Sequence, residues 1–154
     1  MKQIEIKAAI ENLIDTFLYA GKVSIELRKK GLIKEIKEDN TPVSNGDLEV
    51  NRILTEKINN LTPQIPIVSE ETSHNKSKKD LKNFWLIDPI DGTYDYINDL
   101  DEFTLNAGLI INNRAVAGII YAPAKNRLFY SYEKGCSFET VSYTHLTLPT
   151  TVRV

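Results

Sequence analysis

The run Phe84-Trp85-Leu86-Ile87-Asp88-Pro89-Ile90-Asp91-Gly92-Thr93 holds the residue types in this chain most able to do chemistry. Four large apolar residues between Asn83 and Asp-Pro predict a fully buried strand, because a strand covered on both faces shows no polar alternation. Pro89 lacks an N–H and steers Asp88 out of the helical region, so the strand is expected to stop at Asp88 and turn. Asp91 follows across that rigid turn, a spacing that lets two carboxylates converge on one small volume. Two anions held that close repel each other. A divalent cation would resolve the conflict, and an oxygen-only donor set suits Mg²⁺ better than Zn²⁺. Gly92 lets an anion approach the backbone, and a helical turn beginning near Thr93 would aim free amides at a phosphate. Either Asp-Pro or Asp-Gly alone is an ordinary turn. The combination of apolar strand, D-P-I-D-G-T and a nearby Glu70-Glu71 points to a metal and phosphate site.

The run resembles the W-x-I-D-P-[IL]-D-G-T signature of the inositol monophosphatase-like superfamily of Mg²⁺-dependent, lithium-sensitive phosphatases. That resemblance implies that Asp88, Asp91 and the Ile90 carbonyl are metal ligands. It also implies that Gly92 and Thr93 contact phosphate and that Thr93 helps position the attacking water. A second stretch, Lys37-Glu38-Asp39-Asn40-Thr41-Pro42-Val43-Ser44-Asn45-Gly46-Asp47, is similar to the superfamily's K-x-D-x-[ST]-P-V-T-x-A-D. It makes Asp47 the carboxylate that activates water together with Thr93. Ser44 stands where the pattern has Thr and keeps the hydroxyl. Gly46 stands where it has Ala and weakens a helix start by up to about 1 kcal/mol. By resemblance to [GS]-E-E, Glu70 is a further metal ligand with Glu71 supporting it. Glu70, Asp88, Gly92 and Thr93 are then the residues that meet substrate.

The elements that must position these groups follow from periodicity. Apolar residues from Ile6 to Leu27 recur at three and four, predicting a long amphipathic helix over 1–30 that Gly31 ends. The charged stretch 33–40 reads as a short strand or extended arm. A second helix begins after Val43, capped by Ser44 or Asn45, with Leu48, Ile53, Leu54 and Ile58 as its apolar stripe. Ile65 to Val68 reads as a short buried strand leading to Glu70. Residues 72–83 form a polar loop in which His74 is solvent-exposed. Tyr94 to Ile97 makes a helical turn. Strands over 103–111, 115–121 and 128–132, joined by turns at Asn112-Asn113 and Pro123 to Asn126, predict an antiparallel meander.

The 154 residues are 42% hydrophobic and 26% charged, an ordinary globular composition, and the net charge of −2 offers no general basic surface for nucleic acid. No apolar run reaches the roughly 18 residues of a membrane span. The chain is read as cytoplasmic, with peripheral association at the inner membrane left open. A single Cys136 excludes an internal disulfide framework.

Periodicity and resemblance stop near Glu139. The segment from Val141 to Thr150 resembles the translation of a transposase sequencing adapter, so residues 1–139 are expected to be the N-terminal part of a phosphatase domain and 140–154 a non-native tail. On that expectation His145 has no catalytic role. A C-terminal half carrying another metal-binding Asp and much of the substrate pocket would be missing, leaving a sheet face or edge exposed.

The fold class implied is α+β: a layered αβαβα sugar-phosphatase-like fold, of which this chain holds the helix pair and the antiparallel sheet. Glu102-Phe103-Thr104-Leu105-Asn106 and Tyr121-Ala122-Pro123-Ala124 resemble the 3′(2′),5′-bisphosphate nucleotidase branch. The implied activity is release of the 3′-phosphate of 3′-phosphoadenosine 5′-phosphate, a by-product of sulfate assimilation, with Mg²⁺ as cofactor and no nucleic-acid partner. The alternatives are an inositol monophosphatase or sugar bisphosphatase, a non-catalytic metal- or phosphate-binding module, and a truncated product that does not fold stably.

Overall fold

Two helices pack side by side against one face of a sheet, and the site residues lie where strands and short turns leave that sheet. The computed structural model describes residues 1–72, 81–141 and 150–153. The readings for His74 and His145, and for most of the 140–154 tail, fall outside the described residues.

Helix α1 (Gln3–Lys30) ends at Gly31, whose φ of +95° suits glycine. It buries Ile6, Ala9, Ile10, Leu13, Phe17 and Ala20, the stripe that its periodicity predicts. Strands β1 (Lys34–Ile36) and β2 (Pro42–Ser44) form a small antiparallel hairpin. Helix α2 (Asn45–Leu61) starts with a capping box: Ser44 receives the Asp47 amide, and the Asp47 carboxylate receives the Ser44 amide. Val50, Ile53, Leu54 and Ile58 are its buried stripe, whereas Leu48 is 48% exposed and lies outside it.

The main sheet comprises β3 (Ile67–Ser69), β4 (Phe84–Asp91), β5 (Thr104–Ile111), β6 (Arg114–Ala122), β7 (Arg127–Glu133), β8 (Cys136–Val141) and β9 (Thr150–Arg153), adjacent in that order. Only β3 and β4 run parallel; the rest form the expected antiparallel meander, extended by β8 and β9. Asn112 and Asn113 both take positive φ, as a tight hairpin turn requires. A five-residue helix, α3 (Thr93–Ile97), follows β4 directly.

Strand β4 departs from expectation in two ways. Trp85 and Ile87 are buried against the helices, but Leu86 is 51% exposed, so the strand alternates and is covered on one face. Leu86 shares the other face with Ile120, which is 47% exposed. The strand also continues through Pro89 to Asp91. It does so by a bulge: Asp88 pairs with Asn106 and Asp91 with Thr104, so three steps on β4 match two on β5. The proline sits in the bulge, where its missing N–H costs the ladder little.

Candidate active site

The β4 bulge decides where the two aspartates point. In a regular strand, residues three apart face opposite sides. Inserting one extra residue restores the parity, and Asp88 and Asp91 come to the same side as their partners Asn106 and Thr104. Asn106 Nδ2 donates to Asp91 Oδ2 at 3.2 Å. Asp88 Oδ1 is buried with no partner. Burial, followed by the charges of Glu70, Asp91 and Glu71, pushes the Asp88 carboxyl up to about 7.

Glu70 arrives at the end of β3, where its amide donates to the Ile87 carbonyl at 3.1 Å. Its neighbour Glu71 is buried, its side chain only 3% exposed, and pairs with Lys37 Nζ at 3.3 Å to each oxygen. Lys37 also lies 3.6 Å from Glu70 Oε1. Burial raises the Glu71 carboxyl despite Lys37. The opposite balance holds at Lys37: burial opposes its charge, yet Glu71, Glu70 and Asp39 together leave the ammonium more basic than usual. Lys37 was visible as the first residue of a motif, but nothing local showed that its charge would be spent on Glu71, 34 residues away.

Asp47 is fully buried. Its Oδ2 accepts from the Ser44 amide at 2.8 Å and from the Ser44 hydroxyl, and its Oδ1 faces Thr93 Oγ1 at 3.0 Å. Thr93 Oγ1 is also 3.0 Å from the Ile90 carbonyl. One hydroxyl proton cannot serve both acceptors at once. Gly92, with φ +90°, makes the turn between Asp91 and α3, and a Cβ there would lie 2.7 Å from the Glu102 carbonyl oxygen. Glycine is therefore required twice over, by its torsion and by the closeness of the 98–103 loop.

That loop is held by Arg28 of α1. Its guanidinium donates to the Leu100 carbonyl at 2.7 Å, pairs with Asp101 at 2.9 Å and Asp99 at 3.3 Å, and lies over the Phe103 ring. Tyr96 of α3 is fully buried and donates to the Ser24 carbonyl at 2.7 Å. A Cβ on Gly46 would run into the Tyr96 hydroxyl oxygen. The glycine that looked like a weak helix start is the space that the tyrosine fills.

A cleft of about 410 Å³ opens beside Asp91 and Gly92, lined by Asp95, Asp101, Glu102 and Lys125 among others. Lys125 pairs with Glu102 at 2.6 Å. An anion entering this acidic cleft would need a cation with it.

The family model for the inositol monophosphatase family matches residues 6–152. The chain belongs to the inositol monophosphatase family. Within that family it is 40% identical over 123 residues to the 3′(2′),5′-bisphosphate nucleotidase CysQ of Haemophilus influenzae, covering 79% of this chain and 45% of that one. Among solved structures it is similar to CysQ from Bacteroides thetaiotaomicron, with a TM-score of 0.65, 26% identity, and coverage of 92% of this chain and 51% of the other. It also shares the fold of an inositol monophosphatase/NADP phosphatase solved with Mg²⁺ and phosphate, at a TM-score of 0.71 and 19% identity, covering 84% and 50%. The chain thus spans about half the length of these family members. Its helix pair and sheet are one half of the family's α+β fold.

The donors suit a hard divalent cation in type. A buried carboxylate oxygen of Asp88 lacks a partner, Asp91 shares its face, Glu70 is close enough to shift it, and none of these groups is nitrogen or sulfur. They are not closed into a ligand shell as they stand. Among the described residues, no three acidic, His or Cys side chains form a group that could hold a metal ion.

Proposed function

We propose that this chain carries the metal-dependent phosphate-cleaving half of a 3′(2′),5′-bisphosphate nucleotidase, hydrolysing the 3′-phosphate of 3′-phosphoadenosine 5′-phosphate. The observation that supports it most is the hydrogen-bonded pair Asp47–Thr93 beside the Gly92 turn. Glu70, Asp88, Asp91 and the Ile90 carbonyl would hold Mg²⁺. When bound, that ion supplies charge neutralisation at the attacking and leaving oxygens and makes water more acidic.

The chain's own groups do the rest. Ser44 donates twice to Asp47 Oδ2, which fixes the carboxylate and leaves Oδ1 to Thr93. With the Thr93 proton committed to Asp47, the Thr93 oxygen is free to accept from a water. As that water attacks phosphorus in line and the phosphorus–O3′ bond breaks, the water's proton passes to Thr93 Oγ1 while Thr93 gives its own to Asp47 Oδ1, and the departing 3′-oxygen takes a proton from solvent water to leave the 3′-hydroxyl. The amides of Gly92 and Thr93 hold the phosphate, and the glycine torsion keeps them accessible. No protein nucleophile is needed. The nucleotidase activity is favoured over inositol phosphate or sugar bisphosphate hydrolysis by the named CysQ relatives.

The decisive experiment is Mg²⁺-dependent phosphate release from 3′-phosphoadenosine 5′-phosphate, with inositol 1-phosphate in parallel. It is run on this chain and on this chain joined to the C-terminal half of a CysQ relative. Release selective for the nucleotide and lost in Asp88→Asn supports the reading; equal or greater release from inositol 1-phosphate overturns the substrate. A second reading, a metal- or phosphate-binding module without turnover, draws on the unclosed donor set. Mg²⁺ binding without release in either form would establish it.

A further inference from the structure

Asn106 stands opposite Asp88 across the β4–β5 ladder, and its side chain reaches the other aspartate of the bulge. Its Nδ2 donates to Asp91 Oδ2 at 3.2 Å, while its Oδ1 is buried with no partner. Asp88 Oδ1, on the residue paired with it, is also buried and unpartnered. Two acceptor oxygens on directly paired residues, both cut off from water and neither satisfied, are unusual in a folded protein. A carboxylate at this position would have added a further negative charge to a group that already includes Asp88, Asp91 and Glu70. An amide avoids that and supplies a donor.

We propose that Asn106 is a positioning residue for the cation site: it orients Asp91 through its N–H and presents Oδ1 as a neutral oxygen beside Asp88. The inference rests on the metal-dependent reading above. The sheet makes the placement rigid, because Asn106 and Thr104, two residues apart on β5, face the two aspartates that the bulge brings to one side. Partners that orient a metal ligand usually change metal affinity by about 10- to 100-fold when removed.

The test is calorimetric titration with MgCl₂ alone, on the unaltered chain, Asn106→Ala and Asp91→Asn, with thermal unfolding of each measured without metal. The expected result is 10- to 100-fold weaker Mg²⁺ binding by Asn106→Ala, with a metal-free unfolding midpoint close to that of the parent. A purely structural asparagine would lower the midpoint and leave affinity unchanged; that outcome overturns the inference and leaves the metal reading intact. No Mg²⁺ binding by either the unaltered chain or the joined protein, titrated in parallel, overturns both. Should Asn106→Ala not fold, the ¹⁵N side-chain amide resonance of Asn106 in the unaltered chain decides. It is expected to shift on Mg²⁺ addition with the calorimetric midpoint, and an unmoved resonance at saturation overturns the assignment.

Discussion

Thr93 Oγ1 lies 3.0 Å from Asp47 Oδ1, joining the first turn of α3 to the first turn of α2 across 46 residues of chain. Both residues are oriented by other contacts, Asp47 by Ser44 and Thr93 by the Gly92 turn, so the pair is assembled without substrate. Removing either half should cost rate more than binding. Thr93→Val and Asp47→Asn are each expected to lower kcat for phosphate release by about 10²- to 10⁴-fold, the range of general acid–base contributions, with KM nearly unchanged. The double variant should lose little more than either single one, because the two act as a unit. Steady-state kinetics of the joined protein checks this; additive losses would separate their roles.

The raised Asp88 carboxyl makes stability depend on pH. Its folded value of about 7 stands above the ordinary carboxylate value of 3.8. Between those values the folded chain binds more protons at this site than the unfolded chain, so this group's contribution to stability falls as pH rises from about 4 to about 7. Without metal, Asp88→Asn should therefore raise the unfolding midpoint at pH 8 and change it little at pH 4. Thermal unfolding in EDTA at the two pH values measures it. A midpoint lowered by the substitution at pH 8 would show that the carboxylate is not under repulsion.

Gly46 and Tyr96 should behave as one unit. Gly46→Ala forces a methyl onto the Tyr96 hydroxyl, and overpacking of this kind costs about 1–3 kcal/mol. Tyr96→Phe removes the hydroxyl that the methyl strikes first and loses the hydrogen bond to Ser24, but it keeps the ring carbons Cε1 and Cζ at 2.6 and 2.8 Å from that methyl. The double variant is expected to be more stable than the sum of the two single effects predicts, by about 0.5–1 kcal/mol, because the hydroxyl contact is gone while the ring contacts remain. Urea unfolding of the four proteins of the cycle gives the coupling; strict additivity would mean that the alanine methyl is accommodated elsewhere.

Arg28 fastens the loop that abuts Gly92. Arg28→Ala leaves the Leu100 carbonyl, Asp99 and Asp101 without their shared cation, and a hydrogen bond to a charged group is worth about 1.5–3 kcal/mol. The expected effect is faster amide exchange over 98–103 together with that loss of stability. Hydrogen-exchange mass spectrometry reads the loop directly, and unchanged exchange there would remove Arg28 from the support of the site.

Local pattern carries the regular elements. The α1 stripe follows the 3.6-residue period, Ser44 caps α2, Gly31 closes α1, and the meander turns fall at Asn112-Asn113 and after Pro123. The D-P-I-D-G-T run marked the candidate site because its residue types are local information. Which oxygens meet depends on packing between segments far apart in the chain. Strand β4 is covered on one face, so Leu86 alternates out of the core although its neighbours are equally apolar. Asp88 and Asp91 share a side through a bulge defined by pairing with β5, and register between strands is a long-range property that no short window contains. For the same reason Lys37, Arg28 and Asn106 took their roles only in the folded chain: each acts on a residue brought near it by packing, where side-chain charge and amide geometry meet partners that chain order keeps apart.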